Sequence, residues 1–220
     1  MSVASVPSPT RRTAIVITAA VVVVGVAVLA YVLLRPAGLS PELAAVHDAT
    51  SDFQEVAAVE EAGYGELVDV AGIACIEHDD LGAMGIHYVH GDLVGDATVE
   101  ADRPEAIIYE PTSSGLLELV GVEYVVFQEG WDAANDATPQ LFGQTFTAVG
   151  ADNRYGIPAF YELHAWVWKD NPAGEFADYN PDVTCEHASA GSAGHAGNAA
   201  DAPAEPEPAP VTPRERLGGW

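Results

Sequence analysis

Hydrophobic and polar positions alternate in four distinct textures along the chain. Residues 13–34, TAIVITAAVVVVGVAVLAYVLL, are uninterrupted by charge. At about 1.5 Å per residue such a helix is about 33 Å long, enough to cross a hydrocarbon core of about 30 Å. After the linker 35–40, Leu43, Val46, Thr50, Phe53, Ala57 and Glu60 trace one line at helical spacing. Ser40 as N-cap, Pro41 at the first helical position and Gly63 beyond the end predict a helix over 41–62. From Leu67 the texture becomes short β-rich runs: 67–76, 84–90, 105–110, 116–128 and 142–149. The turn Pro111-Thr112-Ser113-Ser114-Gly115 joins two of them into a hairpin with a loop of about five residues. Residues 129–140 read as a loop. From 187 to 220 Ala, Gly, Pro and Glu leave nothing to bury, which predicts a disordered tail.

The stretch 155–181, YGIPAFYELHAWVWKDNPAGEFADYNP, is the densest in aromatic residues and fits two patterns. As a helix over 158–170 it places Phe160, Leu163, His164 and Val167 on one face, with Glu162 and Lys169 toward water. As a strand it places Phe160, Glu162, His164, Trp166 and Trp168 on one side and Tyr161, Leu163, Ala165 and Val167 on the other. Pro158 before it and Asn171-Pro172 after it favour the helix. The fold class expected is therefore α+β: an antiparallel sheet of four to six strands packed by two helices, within a globular domain at 41–186.

Charge then narrows the choice of partners. Acidic residues number 33 against 8 basic ones, a net charge of −25. Between Ser40 and Glu186 the cations are Arg103, Arg154 and Lys169. A surface so negative repels nucleic acid and anionic head groups, and it suits metal cations, organic cations or a salty habitat. Arg11 and Arg12 precede the apolar run and Arg35 follows it, so residues 1–12 are expected in the cytoplasm and the folded domain outside. The run is longer than a cleaved signal core and lacks a small-x-small exit, which predicts a retained single-pass anchor in the cell membrane. In that oxidising setting Cys75 and Cys185 read as one disulfide, with two separate buried thiols as the alternative.

Candidate chemistry rests on few residues. His87 lies in the strand Met84–His90, and alternation puts it on the opposite face from His90. Glu123 is a carboxylate inside the apolar run Val122-Glu123-Tyr124; an acid so placed is neutralised, paired or ligating. Together with His164 they have the composition of a two-His, one-carboxylate site for a divalent transition metal. The same set serves as a base and an acid in a pocket. The bland alternative is three buried polar residues tied to backbone or to Arg103 and Arg154. Tyr155, Tyr161, Trp166 and Trp168 supply a possible aromatic cage for a small cationic ligand, although such runs more often form core. No GxSxG elbow, dinucleotide fingerprint or Walker-type loop is present.

MGIHYVHGDLVGD (84–96), RPEAIIYEP (103–111), LVGVEYVVFQ (119–128), LFGQTF (141–146) and NRYGIPAFYELHAWVWKDNPAGEFADYNPDV (153–183) resemble an uncharacterised family of bacterial exported or envelope proteins. The resemblance spans about residues 41–185. It implies a single extracytoplasmic domain and carries no activity to transfer to any residue. Three functions follow as expectations: a membrane-anchored domain binding a metal or small ligand through His87, Glu123 and His164; an envelope enzyme using the same residues; or a structural domain in which they are buried and satisfied.

Overall fold

The computed structural model describes residues 38–189 and 193–195. The expected membrane span at 13–34 lies outside them. No helix among the described residues is long and apolar enough to cross a membrane.

The helical period over 41–62 is broken into three pieces: α1 (Pro41–Ala49), a single 3-10 turn (Ser51–Gln54) and α2 (Val56–Glu61). The break has a local cause. Thr50 Oγ1 bonds back to the Val46 carbonyl at 2.9 Å and Ser51 Oγ to that of Asp48 at 2.8 Å. Hydroxyls competing for helix carbonyls loosen and bend the ladder. Glu55 is then fully extended (φ −109°, ψ 130°), so the next turn restarts the helix. The hydrophobic line survives the break: Leu43, Ala44, Val46 and Val59 are all buried.

The strands are β1 (Gly65–Glu66), β2 (Cys75–His78), β3 (Gly82–Val89), β4 (Ala106–Pro111), β5 (Leu117–Phe127), β6 (Gln140–Leu141), β7 (Gln144–Thr145), β8 (Thr147–Val149), β9 (Phe160–Ala165) and β10 (Ala193–His195). Among the described residues eight belong to one sheet, more than the four to six expected, in the order β10-β2-β3-β4-β5-β9-β8, with β1 also paired to β3. β6 and β7 form a separate hairpin. The main sheet is antiparallel except at its edge, where β10 runs parallel to β2. That edge strand falls inside the stretch read as tail. The run 67–76 contributes only its end to a strand, and 129–140 opens as helix α4 (Gln128–Ala134) rather than as loop; a short α3 (Gly91–Val94) follows β3.

The largest correction concerns 158–170. The segment is strand β9 followed by irregular chain, with Glu123 opposite His164 and Phe127 opposite Phe160 on β5. Phe160, Leu163, His164 and Ala165 are all buried. β9 therefore carries buried residues on both faces, and a run apolar on both sides imitates a helical stripe. Pro158 is accommodated because it precedes the first ladder pair rather than interrupting it.

Both faces of the sheet are covered. On one, tyrosines reach through the packing to backbone carbonyls: Tyr109 to Phe53 at 2.7 Å, Tyr124 to Ala101 at 2.7 Å and Tyr64 to Pro104 at 2.8 Å. Trp168 stacks on His47 with centroids 3.7 Å apart and donates to Thr50 Oγ1, locking the segment after β9 against α1. Tyr109 is fully buried, so Tyr109→Phe leaves the Phe53 carbonyl without its donor. We expect a loss of about 1–2 kcal/mol in urea unfolding. An unchanged midpoint would mean that water replaces the hydroxyl.

Two glycines shape the sheet that carries the site. Gly85 in β3 has φ +100°, and a Cβ there would sit 2.6 Å from the Tyr109 carbonyl oxygen. Gly82 has φ +89°, and its Cβ would meet the Asn180 carbonyl oxygen at 2.2 Å. Both approaches are closed to any side chain. Gly82 thus admits the crossing chain at Asn180, which bridges to Ala83. Register shifts between Ile76 and Glu77 and between Ile108 and Tyr109 add local twist.

Candidate metal centre

His87 (β3), Glu123 (β5) and His164 (β9) meet in the interior. Their exposures are 3 %, 6 % and 1 %. His87 Nε2 lies 3.4 Å from His164 Nε2 and 3.5 Å from Glu123 Oε2. One ligand atom from each falls within 4.8 Å of the others, which makes the set a group able to hold a metal ion.

The register explains how residues so far apart in sequence converge. Glu123 pairs directly with His164, and Ala106 with Glu123, while His87 sits opposite Ile108 and Ile108 opposite Gly121. Strands β4 and β5 therefore stand between the two histidines. In a flat sheet three strand spacings separate their backbones by about 14 Å. Of the positions between them on this face Ala106 and Gly121 are small and Ile108 is not, and the twist normal to a sheet shortens the diagonal from one ring to the other. Gly121 has no room for more: a Cβ would lie 3.0 Å from the Ala165 carbonyl oxygen and 3.4 Å from the Trp166 ring.

Two further carboxyls surround the trio. Asp178, half-buried on the chain after β9, places Oδ1 3.8 Å from His164 Nδ1, a buried nitrogen with no hydrogen bond of its own. With its proton on Nδ1 facing Asp178, His164 presents the Nε2 lone pair to the centre. Glu162 hydrogen-bonds Glu123 from the neighbouring position on the same face of β9. Neither was identified from sequence. Glu162 reads as solvent-facing in a helix, whereas strand alternation groups it with His164; Asp178 sits in irregular chain that no periodicity reaches.

The electrostatics follow from burial. His87 is held neutral, its pKa lowered to about 3 by desolvation, with His164 and Arg154 adding to the effect. Desolvation lowers His164 to about 4. The Glu123 carboxyl is pushed up to about 7 by burial and by Asp178, against the opposing hydrogen bond from Glu162. The two arginines named as alternative partners each pair with other carboxylates, although the Arg154 charge also reaches His87. Arg103 pairs with Glu100 and Asp96, and Arg154 with Asp69 at 2.8 Å.

The four aromatics expected to form a cage stand in four different settings. Tyr155 packs on the cluster of Val94, Val125, Val149 and Phe160. Tyr161 donates to Asp132 Oδ1. Trp166 is buried and donates to the Ala177 carbonyl, and Trp168 stacks on His47. His90 stands edge-on to Tyr64, away from His87.

Cys75 and Cys185 form a disulfide with Cα atoms 5.8 Å apart, which removes the alternative of two buried thiols. No family model, curated protein or solved structure matches the chain.

Proposed function

We propose that this domain binds a divalent transition metal through His87 Nε2, His164 Nε2 and Glu123. The observation that carries the reading is the spacing of the donors. A tetrahedral ion with bonds of about 2.0–2.1 Å holds its ligands about 3.3–3.4 Å apart. The His–His and His–Glu edges through His87, 3.4 and 3.5 Å, fit that polyhedron, and the third edge, between Glu123 and His164, lies within 4.8 Å and closes by rotation of the Glu123 side chain. Both imidazoles are neutral, as ligands must be, and the Asp178 contact supplies the outer support that orients a metal-binding His. Three protein ligands leave a fourth position open, the pattern of catalytic rather than closed structural sites. The disulfide supports an oxidising compartment, and the apolar run at 13–34 supports attachment to the membrane with the domain outside.

Zinc added to the chelator-treated full-length chain is expected to raise stability by about 2.7 kcal/mol at a hundredfold excess over its dissociation constant. His164→Ala and His87→Ala should abolish that gain, and Co(II) should give the absorption of a tetrahedral site. A zinc response retained in both single variants would assign the metal elsewhere.

The enzymatic reading has one observation of its own in favour. Glu123 also lines an adjoining apolar cavity, so a reactant held there would lie beside the open metal position.

A further inference from the structure

We infer that this cavity is a binding chamber for one ring-sized, largely apolar alcohol or phenol, its hydroxyl directed at Glu123. The cavity measures about 160 Å³. Dry apolar cavities of about 150 Å³ accept benzene, so the size fits a single six-membered ring. Val89, Val94, Val125, Phe127, Ile157 and Phe160 supply most of its wall. The cavity is partly open to solvent, between the exposed Gly91 and the half-buried Val89, Phe127 and Ile157, and its aliphatic and aromatic walls give water few partners.

The sheet dictates which end of the ligand is polar. Val125 and Phe127 lie two and four residues beyond Glu123 on β5, hence on the same face, and Phe160 occupies that face on β9. The chamber is thus continuous with the metal centre, and Glu123 is the one carboxyl in its wall. A carboxylic acid would set a second anion against Glu123 with Asp178 behind it. An ammonium would lose part of its hydration to the apolar walls. A hydroxyl does neither: it donates to Glu123 when ionised, accepts from it when protonated, and is an oxygen donor to a metal. The inference rests on the proposed metal site only in sharing Glu123; the apolar body of the ligand is held independently of any ion.

The test uses the full-length chain in lipid nanodiscs and ¹⁹F NMR of 4-fluorophenol and fluorobenzene, with and without zinc. We expect saturable 4-fluorophenol binding to the folded protein, weakened at least tenfold by Val125→Phe, which fills the chamber. Should Val125→Phe misfold, Ile157→Trp, at a half-buried wall position, fills the chamber instead. The variants also control for partitioning into lipid. Glu123→Leu should weaken fluorophenol while leaving fluorobenzene unchanged or tighter. No saturable binding to wild type, or undiminished binding to the filled variants, overturns the chamber. Equal responses of both probes to Glu123→Leu overturn the hydroxyl assignment. Fluorophenol bound without any zinc binding supports the chamber and removes the metal reading alone.

Discussion

Reduction of the Cys75–Cys185 bridge is expected to cost this domain about 4–5 kcal/mol, a large share of the stability of a small fold. The bridge closes a sequence separation of 110 residues. In the chain-entropy account a loop that long restricts the unfolded ensemble strongly. Both cysteines are buried, so a Cys75→Ala, Cys185→Ala double variant would lose packing as well as the bridge. The bridge does more than cross-link. Cys75 begins β2, and Cys185 ends the segment that carries Asp178 past the sheet, a path also fixed by the ladder between Ala83 and Asn180 and by the Trp166 bond to Ala177. Loosening that path takes Asp178 from His164. Urea unfolding of the chelator-treated chain with and without reductant measures the first effect, and a zinc titration of the reduced chain measures the second. A cost below about 1 kcal/mol would mean that the unfolded chain is already compact across the bridge.

The site was legible in composition and the fold only in outline, for different physical reasons. His87 and Glu123 stood out because a polar group within an apolar strand must be satisfied, and that requirement is local to the sequence. Their meeting with His164 was not local. It depends on a register across β4 and β5, which periodicity does not report. The hairpin of β4 and β5 was readable from its turn residues and apolar runs. The strand β9 was not, since a strand buried on both sides carries no period-2 signal and its Pro and Asn-Pro borders suit a helix equally well. Glu162 was misplaced with it: the wrong element sent to water a carboxyl that in fact touches Glu123. The break in the first helix escaped for the opposite reason, being a matter of Thr50 and Ser51 hydroxyl bonds beneath an intact hydrophobic line.

With metal removed, stability is expected to be greatest on a plateau between about pH 4.5 and 6.5 and to fall on both sides. Four buried groups set this shape. Glu105, raised to about 8 chiefly by burial, and Glu123, raised to about 7, bind protons more tightly folded than unfolded. Their contribution is fully present below the unfolded value of 4.5 and is lost as pH rises through 7 and 8. His87 and His164, lowered to about 3 and 4, behave oppositely. Theirs is present above 6.5 and is lost as pH falls toward 3. From pH 8 to 6.5 acidification therefore stabilises, assisted by relief of repulsion at a net charge of −25. From 6.5 to 4.5 the carboxyl gain and the histidine loss oppose each other. Below 4.5 the unfolded carboxylates also take protons while the folded histidines still resist, and stability drops. At about 1.4 kcal/mol per pH unit of displacement, each group is worth about 3–5 kcal/mol in the limit. Zinc should reshape the curve in a way no merely structural cluster would. A metal needs Glu123 ionised and both imidazoles neutral, so its stabilisation is largest above pH 7 and declines about tenfold in affinity per unit below it. The apo and zinc curves should then converge near pH 5 and separate toward pH 8, with His164→Ala removing the separation and Glu105→Gln retaining it. Thermal unfolding across pH 4–9 reads both curves, and parallel curves at every pH would exclude Glu123 as a ligand.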